Sequence, residues 1–419
     1  MNTKSKMIAS QSFSSEAGIG LPFSRQSVSK IGARYMPFSN DSARYNTDNL
    51  YPQQLALLAY NTPTHGAAIK TKQFMIEGQG FNLELLDPKL AAIYEDINEY
   101  DETANDILAK ISWDFAIYGG YAMKVRWNNK GLISDICHIP FGDVRVGVPG
   151  EDGIVNYFVI SNNWDKTMSH AQEQTYVLPK FNPDSFANGI SIDENGIPEP
   201  TQEQQENAEQ LIYFWMYKAP ATNGMRYYPL PDYAGALDQI LTEYSIGIAN
   251  KSKIDNGTGG KTIVMMPFIP QSTEEQEEID QNFKTNFTGA DKDGCVIVSY
   301  IDGPGNLPTI TQLEGLSHET YIELEKSTKQ NIITAHKVPA ILLEYNYGGG
   351  FNNRAEEMTV AYNQFQQTVI KSYQNSIIRT FKSIAKWQGF DKQDIQIIPF
   401  SLLPANNAAP QGGTSLTTN

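Results

Sequence analysis

Cysteine is almost missing from this chain: two residues in 419, Cys137 and Cys295, far apart and each in a segment of strand character. That excludes a disulfide framework and fits buried, reduced thiols. No run of about 20 apolar residues occurs, so no membrane-spanning helix is expected. The opening MNTKSKMIASQSFSSEAG carries two lysines but lacks the continuous apolar stretch of a secretory signal, and the chain is expected to stay in the cytoplasm where it is made. The glycosylation-like sequences at Asn256 and Asn286 therefore carry no weight. Positive charge is also scarce. Lys and Arg number 32 against 47 Asp and Glu, a formal net charge of -15. Tight nucleic-acid binding draws its affinity from basic side chains, so a protein that grips DNA is disfavoured.

Catalytic patterns are absent too. The five histidines, His65, His138, His170, His318 and His336, have no ligand spacing, and His318-Glu319 lacks the second histidine four residues on that a zinc helix needs. There is no G-x-S-x-G, and neither cysteine sits beside an evident base. GTGGKT at Gly257–Thr262 resembles a phosphate loop only superficially. Asp255 stands where the first glycine belongs, and a helix precedes and a strand follows, the reverse of what brings amides and a helix dipole to an anion. No enzyme activity, metal or cofactor is expected.

What the sequence does contain is enough apolar residue, 40% of the chain, for a large core in two or three domains. Residues 1–49 are expected to form an extended arm. Up to residue 45 it carries six basic side chains (Lys4, Lys6, Arg25, Lys30, Arg34, Arg44) against Glu16 and Asp41, opposite in sign to the whole. From Leu50 a helical period appears (Leu55, Leu58, Ala59, then Ala68, Ile69, Phe74), broken at Thr62-Pro63 into two helices. Another covers 104–118 and stops at Gly119-Gly120 before the alternating YAMKVRW. ISDICHI, DVRVGV, IVNYFVI and LIYFWMY read as further strands, giving an α+β core. Residues 184–209, with seven acidic side chains and no Lys or Arg, read as a solvated insertion.

In the second half, 232–254 places Leu237, Ile240, Leu241, Tyr244 and Ile248 on one face of a helix about 35 Å long. KTIVMMPF, the helix STEEQEEIDQNFKTNF and CVIVSYI then read as a small α/β module. Ser272 and Glu275 have capping-box spacing, which explains the acidic cluster as helix-start chemistry. A helix over about 319–336 is stopped by Val338-Pro339. After it come a triple glycine at 348–350, a long helix over 355–387 with an apolar stripe (Met358, Tyr362, Phe365, Val369, Tyr373, Ile377, Phe381, Ile384), and a low-complexity tail.

This order resembles the portal proteins of tailed bacteriophages, over about residues 50–390, through Leu230–Leu237, Ser272–Gly289, Val338–Leu342 and Asn346–Asn353. The resemblance implies an α+β portal fold with a wing domain, long stem helices, a small α/β clip and a C-terminal helical crown. Its implied boundaries are a wing at 50–230, a first stem helix at 231–256, a clip at 257–312 and a second stem helix at 313–337. A tunnel loop at 338–355, a wing or crown helix at 356–390 and an end segment at 391–419 complete it. It implies a tunnel loop facing DNA through Tyr345, Asn346, Tyr347, Gly348, Gly349, Gly350, Phe351, Asn352, Asn353 and Arg354, and a clip rim with Lys284 and Lys292. The implied assembly is a dodecameric ring at one capsid vertex of the virion, put together in the bacterial cytoplasm. Its implied partners are further copies of itself, double-stranded DNA in transit, the major capsid protein, the terminase large subunit and a head-tail adaptor. Twelve copies would carry a formal charge of about -180, suited to a lining along which DNA slides. Two other classes remain open on the residues alone: a different virion structural protein of tail or baseplate, and a metal-dependent nucleic-acid-processing enzyme with dispersed carboxylates.

Overall fold

The computed structural model describes residues 8–9, 35–37, 43–45, 49–151, 153–162, 164, 176–184, 191–192, 198–199, 201–202, 208–216, 227–255, 261–266, 270, 272–287, 296–300, 309–313, 318–343 and 354–400. In chain order the elements begin with short strands β1 (Ile8–Ala9), β2 (Tyr35–Pro37) and β3 (Ala43–Tyr45), then helices α1 (Tyr51–Asn61), α2 (Pro63–Glu77), α3 (Pro88–Glu95) and α4 (Ala104–Tyr118). Strands β4 (Gly120–Trp127), β5 (Ile133–Ile139), β6 (Val144–Val146), β7 (Tyr157–Ile160), β8 (Tyr176–Pro179), β9 (Ser191–Ile192), β10 (Pro198–Glu199) and β11 (Glu209–Trp215) follow. Then come α5 (Leu237–Asp255), β12 (Lys261–Met266), α6 (Thr273–Phe287), β13 (Val296–Tyr300), β14 (Thr309–Leu313) and α7 (His318–His336). Helix α8 (Arg354–Phe365) continues through a π turn, Gln366–Ile370, into α9 (Lys371–Trp387). The chain is thus a mixture of helix and sheet, and it divides into two compact units: residues 25–237 with 332–419, and residues 1–24 with 238–331.

The larger unit is built on α2, which packs against α1, α4 and α9. Helix α4 starts at a capping box between Thr103 and Asp106 and ends on Gly119 in the left-handed region, which lets the chain turn directly into β4. Strand β4 is the centre of an antiparallel sheet ordered β11-β4-β5. Where α4 meets the sheet, Phe115 is fully buried with its ring edge-on to Tyr121, Phe214 and, from α9, Tyr373, at centroid distances of 5.3, 5.8 and 4.6 Å. A second antiparallel sheet, β6-β7-β8, carries the fully buried Arg145. Its guanidinium donates to the carbonyls of Asn49, Gly142 and Val144 and to the side-chain oxygens of Asn49 and Gln53, so the charge is solvated by protein oxygens. Cys137 is buried on β5, and its thiol pKa is raised by burial. Cys295 lies outside the described residues, as does most of the 184–209 insertion, in which 184, the β9-β10 pair, 201–202 and 208–209 are described, Glu209 opening β11.

The long C-terminal helix is not one uniform α-helix. Through the π turn the buried positions pass from Tyr362 and Phe365 to Gln366 and Ile370 before resuming at Tyr373, Ile377, Phe381 and Ile384. Val369, expected in the stripe, is only half-buried because the wider turn rotates the face past it. Phe74, expected inward, is 47% exposed, and Ile248 is 46% exposed.

In the smaller unit β12 and β13 are parallel, joined by the crossover helix α6, which packs on β13. The sheet order is β1-β13-β12-β14, with β14 antiparallel to β12 and β1 antiparallel to β13. The Ser272 hydroxyl accepts from the Glu275 amide at 3.2 Å, as the capping spacing requires. Tyr321 on α7 donates to the Asn250 side chain on α5 at 2.6 Å.

Gly66 allows α2 to approach α1: a Cβ there would collide with the Ala59 carbonyl oxygen, a backbone atom that cannot rotate away. Gly66→Ala is therefore expected to lose stability, because overpacking of about 1–3 kcal/mol outweighs the roughly 1 kcal/mol gained in helix propensity. Urea denaturation should show a lower midpoint at unchanged slope.

Candidate functional site

Tyr345 to Asn353, the segment implicated in contacting DNA, lie outside the described residues. Arg354 opens α8, with its side chain outside them. Lys284 falls within α6, its side chain likewise outside, and Lys292 lies outside altogether. The described residues do define the frame on which the 344–353 segment is hung. Helix α7 ends at His336, where the Val338-Pro339 pair disfavours further helix, and Lys337 takes a left-handed φ of 57°. Val338 and Ile341 are buried, the latter in a short 3-10 turn, Ala340–Leu343. Helix α8 packs against that turn, and the turn packs on α2, so both flanks of the segment are fixed to one region of the larger unit.

Next to these flanks lies a buried polar cluster. On α2, His65, Ala68, Ile69, Lys72 and Ile76 share the inward face, and all are buried. The Lys72 ammonium donates to the Asp232 carboxylate at 2.6 Å, with the two side chains 0% and 7% exposed. Tyr373 of α9 donates to the same carboxylate oxygen at 3.1 Å. His65 Nδ1 and His336 Nε2 are hydrogen-bonded at 2.8 Å, the tautomer deciding which of them donates. Tyr233 stacks on His336 at 4.7 Å, meets His65 edge-on at 4.6 Å and donates to the Ile117 carbonyl at 2.6 Å. The cluster therefore ties together α2, α4, α9, the segment just before α5 and the end of α7.

Electrostatics fix its charge state. Burial lowers the Lys72 pKa while Asp232 opposes the shift. The His65 pKa falls to about 3, first by burial and then by the Lys72 charge. His336 is lowered for the same two reasons and by His65. The Lys72–Asp232 contact has ion-pair geometry, the lowered histidine pKa values favour neutral imidazoles, and the outer nitrogens His65 Nε2 and His336 Nδ1 lack hydrogen-bond partners among the described residues. A second pair, the half-buried His138 with the buried Asp114, Nε2 to Oδ2 at 2.7 Å, joins β5 to α4, and Asp114 also accepts from the Phe141 amide. Burial raises the Asp114 pKa, offset by His138. Among the described residues no group of three or more His, Cys, Asp or Glu is placed to hold a metal. The arrangement anchors these elements to one another.

Sequence reasoning passed over this cluster. Lys72 seven residues after His65, on the otherwise apolar face of α2, was the available signal, but the Asp232 and His336 partners are 160 and 271 residues away.

No protein-family model matches the sequence, and no curated protein matches it. Among solved structures, a chain in the virion of a native gene transfer agent (GTA) particle is similar over 83% of this chain and 83% of its own, at 12% identity and a TM-score of 0.50. A chain in the neck of a native GTA particle, computed with C12 symmetry, covers 82% of each chain at 13% identity and a TM-score of 0.45. An HK97 family phage portal protein from Corynebacterium diphtheriae covers 73% of this chain and 84% of its own at 11% identity and a TM-score of 0.40. At such identities the first likeness is one of fold. No helix among the described residues is long and apolar enough to cross a membrane.

Two outcomes are expected of the cluster. Lys72→Ala leaves the Asp232 carboxylate buried without its cation and should cost about 3–5 kcal/mol in denaturant unfolding, whereas surface Lys130→Ala should be near neutral. The histidines also make stability pH-dependent. Their folded pKa values are depressed, so below about 6.5 the unfolded chain binds protons that the folded chain refuses, and stability falls with acid by up to about 1.4 kcal/mol per pH unit for each. Unfolding at pH 7.5 and 5.5 should show a smaller loss for the His65→Gln, His336→Gln double variant than for the parent.

Proposed function

We propose that this chain is the portal subunit of a tailed phage or phage-like particle, forming a dodecameric ring at one capsid vertex. The observation that carries the reading is the fold shared with a GTA virion chain over 83% of both chains. It is reinforced by the order of the pieces: helix, small α/β module, helix, Val-Pro stop, triple-glycine segment and long helix. In this reading the larger unit is wing and crown, α5 and α7 are stem helices, and β12 to β14 with α6 form the clip. Exposed Ile248 on α5 and Ile322 and Leu324 on α7 are apolar contacts waiting for neighbouring stems.

The ring is the conduit for double-stranded DNA during packaging and ejection. Tyr345–Arg354 face the DNA, and polar amides such as Asn346, Asn352 and Asn353 touch phosphates without holding them as a row of lysines would. The clip, with Lys284 and Lys292 at its rim, docks the terminase large subunit and later a head-tail adaptor, while the outer body meets the major capsid protein. No step of this role needs catalysis or a cofactor; the motor's ATP hydrolysis belongs to the terminase.

Cryo-electron microscopy of the purified full chain tests the reading. The expected result is a twelve-fold ring with an axial channel wide enough for duplex DNA. A solid assembly with no axial channel overturns it in favour of another virion component.

A further inference from the structure

Helix α9 departs from the charge of the chain around it. Residues 358–390 carry no Asp or Glu, whereas 47 acids in 419 residues would place about four in a stretch of that length. The same stretch has four basic side chains, Lys371, Arg379, Lys382 and Lys386, all on α9 and all exposed. At 3.6 residues per turn they fall in a sector about 80° wide and run about 22 Å along the axis, with exposed Asn375 among them. The opposite face buries Tyr373, Ile377, Phe381 and Ile384, so the core fixes α9 with its basic ridge outward.

The ordinary explanations of such a ridge fall short. A solvated helix face sets acids three or four residues from its cations, but none of the ion pairs among the described residues involves these four. Complementing the helix dipole accounts for Lys386 in the last turn. It does not account for Lys371, which follows α8 and the π turn without a break in the helix. A basic amphipathic helix also suits a membrane surface, but that use needs the apolar face, which here is spent on the core.

We propose that the exposed ridge of α9 is a contact for double-stranded DNA, holding it by its phosphates without regard to sequence. The demand for a polyanion comes from α9 itself; the choice of DNA rests on the portal reading above. Duplex DNA carries a charge for about every 1.7 Å of its axis, so a row of unpaired cations about 22 Å long meets several phosphates at once, and each contact releases counterions. The Arg379 guanidinium can donate two parallel bonds to one phosphate, and the Asn375 amide adds a neutral donor. Lys371 is separated from Arg354 by all of α8 and the π turn, so the ridge is a different site from Tyr345–Arg354. Its action is also opposite: four cations grip a backbone that amides and glycines only touch.

The test is the binding of a fluorescent duplex of about 20 base pairs, in two unrelated sequences, to the assembled full chain between about 50 and 200 mM salt. One variant combines Lys371→Gln, Arg379→Gln, Lys382→Gln and Lys386→Gln. A control of equal net charge combines Lys70→Gln, Lys89→Gln, Lys180→Gln and Lys326→Gln, exposed lysines elsewhere. Four phosphate contacts add about 3.6 to the slope of log affinity against log salt. Across that range the parent and the control should therefore lose about a hundredfold more affinity than the α9 variant, with both sequences alike. Each single α9 substitution should lower the slope by about 0.9, which keeps the test open if the fourfold variant folds poorly.

Equal slopes in the α9 variant and the control overturn the inference, since the attraction is then not lodged in α9. So does a parent that binds labelled polyglutamate and not the duplex, which makes the ridge a contact for an acidic protein. Single α9 variants that fold but no longer assemble also overturn it, by making the ridge a contact between copies. Electron microscopy of the same preparations separates this idea from the portal reading. Rings with a channel whose DNA binding ignores α9 remove the ridge contact and leave the portal, whereas α9-dependent binding by an assembly without a channel keeps the contact and removes the portal.

Discussion

The contact on which most of the larger unit depends is the buried ion pair between Lys72 and Asp232. Withdrawing an ammonium and a carboxylate from water is costly, and their mutual attraction recovers that cost only with good geometry and further hydrogen bonds. Both conditions are met: the separation is 2.6 Å, and Tyr373 supplies a second donor to the carboxylate. An apolar cluster at the same place would tolerate small slips of α2 against the segment before α5. The ion pair does not, because a shift of an ångström or two leaves a charge in a dry interior. Its contribution is thus to position as much as to stability, and it acts where position matters, five residues before α5 begins.

The paired histidines extend the same constraint to the other end of the excursion. His336 is the last residue of α7, and its imidazole is held between His65 and the Tyr233 ring, next in sequence to Asp232. The departure toward α5 and the return from α7 are therefore clamped by contiguous side chains within one unit. The 3-10 turn rests on the helix that supplies His65 and Lys72, and α8 packs on that turn.

Much of the element pattern was legible because it is written locally. The helices at 51–61, 63–77 and 104–118 follow their apolar period and their breaks at Pro63 and Gly119, and the start of α6 follows from Ser272 and Glu275. What could not be read is what depends on distant partners. Lys72 looks like any lysine until Asp232 is known to face it, and Arg145 looks like a surface residue of a strand until Asn49 and Gln53 close over it. The π turn at 366–370 leaves no mark in a periodic stripe, because Val369 and Ile370 are both apolar and either could have been the inward one. Phe74 was misread for the opposite reason: it fits the period approximately, but α2 turns Met75 and Ile76 inward in its place. The residues expected to face DNA, Tyr345–Arg354, carry no catalytic or binding motif, and all but Arg354 lie outside the described residues.

That lack of motif follows from the proposed task. A conduit must contact DNA over many base pairs while resisting none of them, so strong side-chain contacts would be a defect, and each lysine added to the lining would deepen the well in which a phosphate sits. On the portal reading, the chain's two kinds of electrostatics fall in separate places. Its strong, directional charges, Lys72 with Asp232 and Arg145 with its ring of carbonyls, are buried, where they lock the frame and are invisible to a passing polyanion. Its excess charge is negative and spread over the rest, and within 238–331 acids outnumber bases two to one. An acidic lining alone would push neighbouring copies apart, so a ring built this way needs an attraction that does not use positive charge on the inner wall. Exposed apolar side chains such as Ile248 on α5 and Ile322 and Leu324 on α7 are one means the described residues provide.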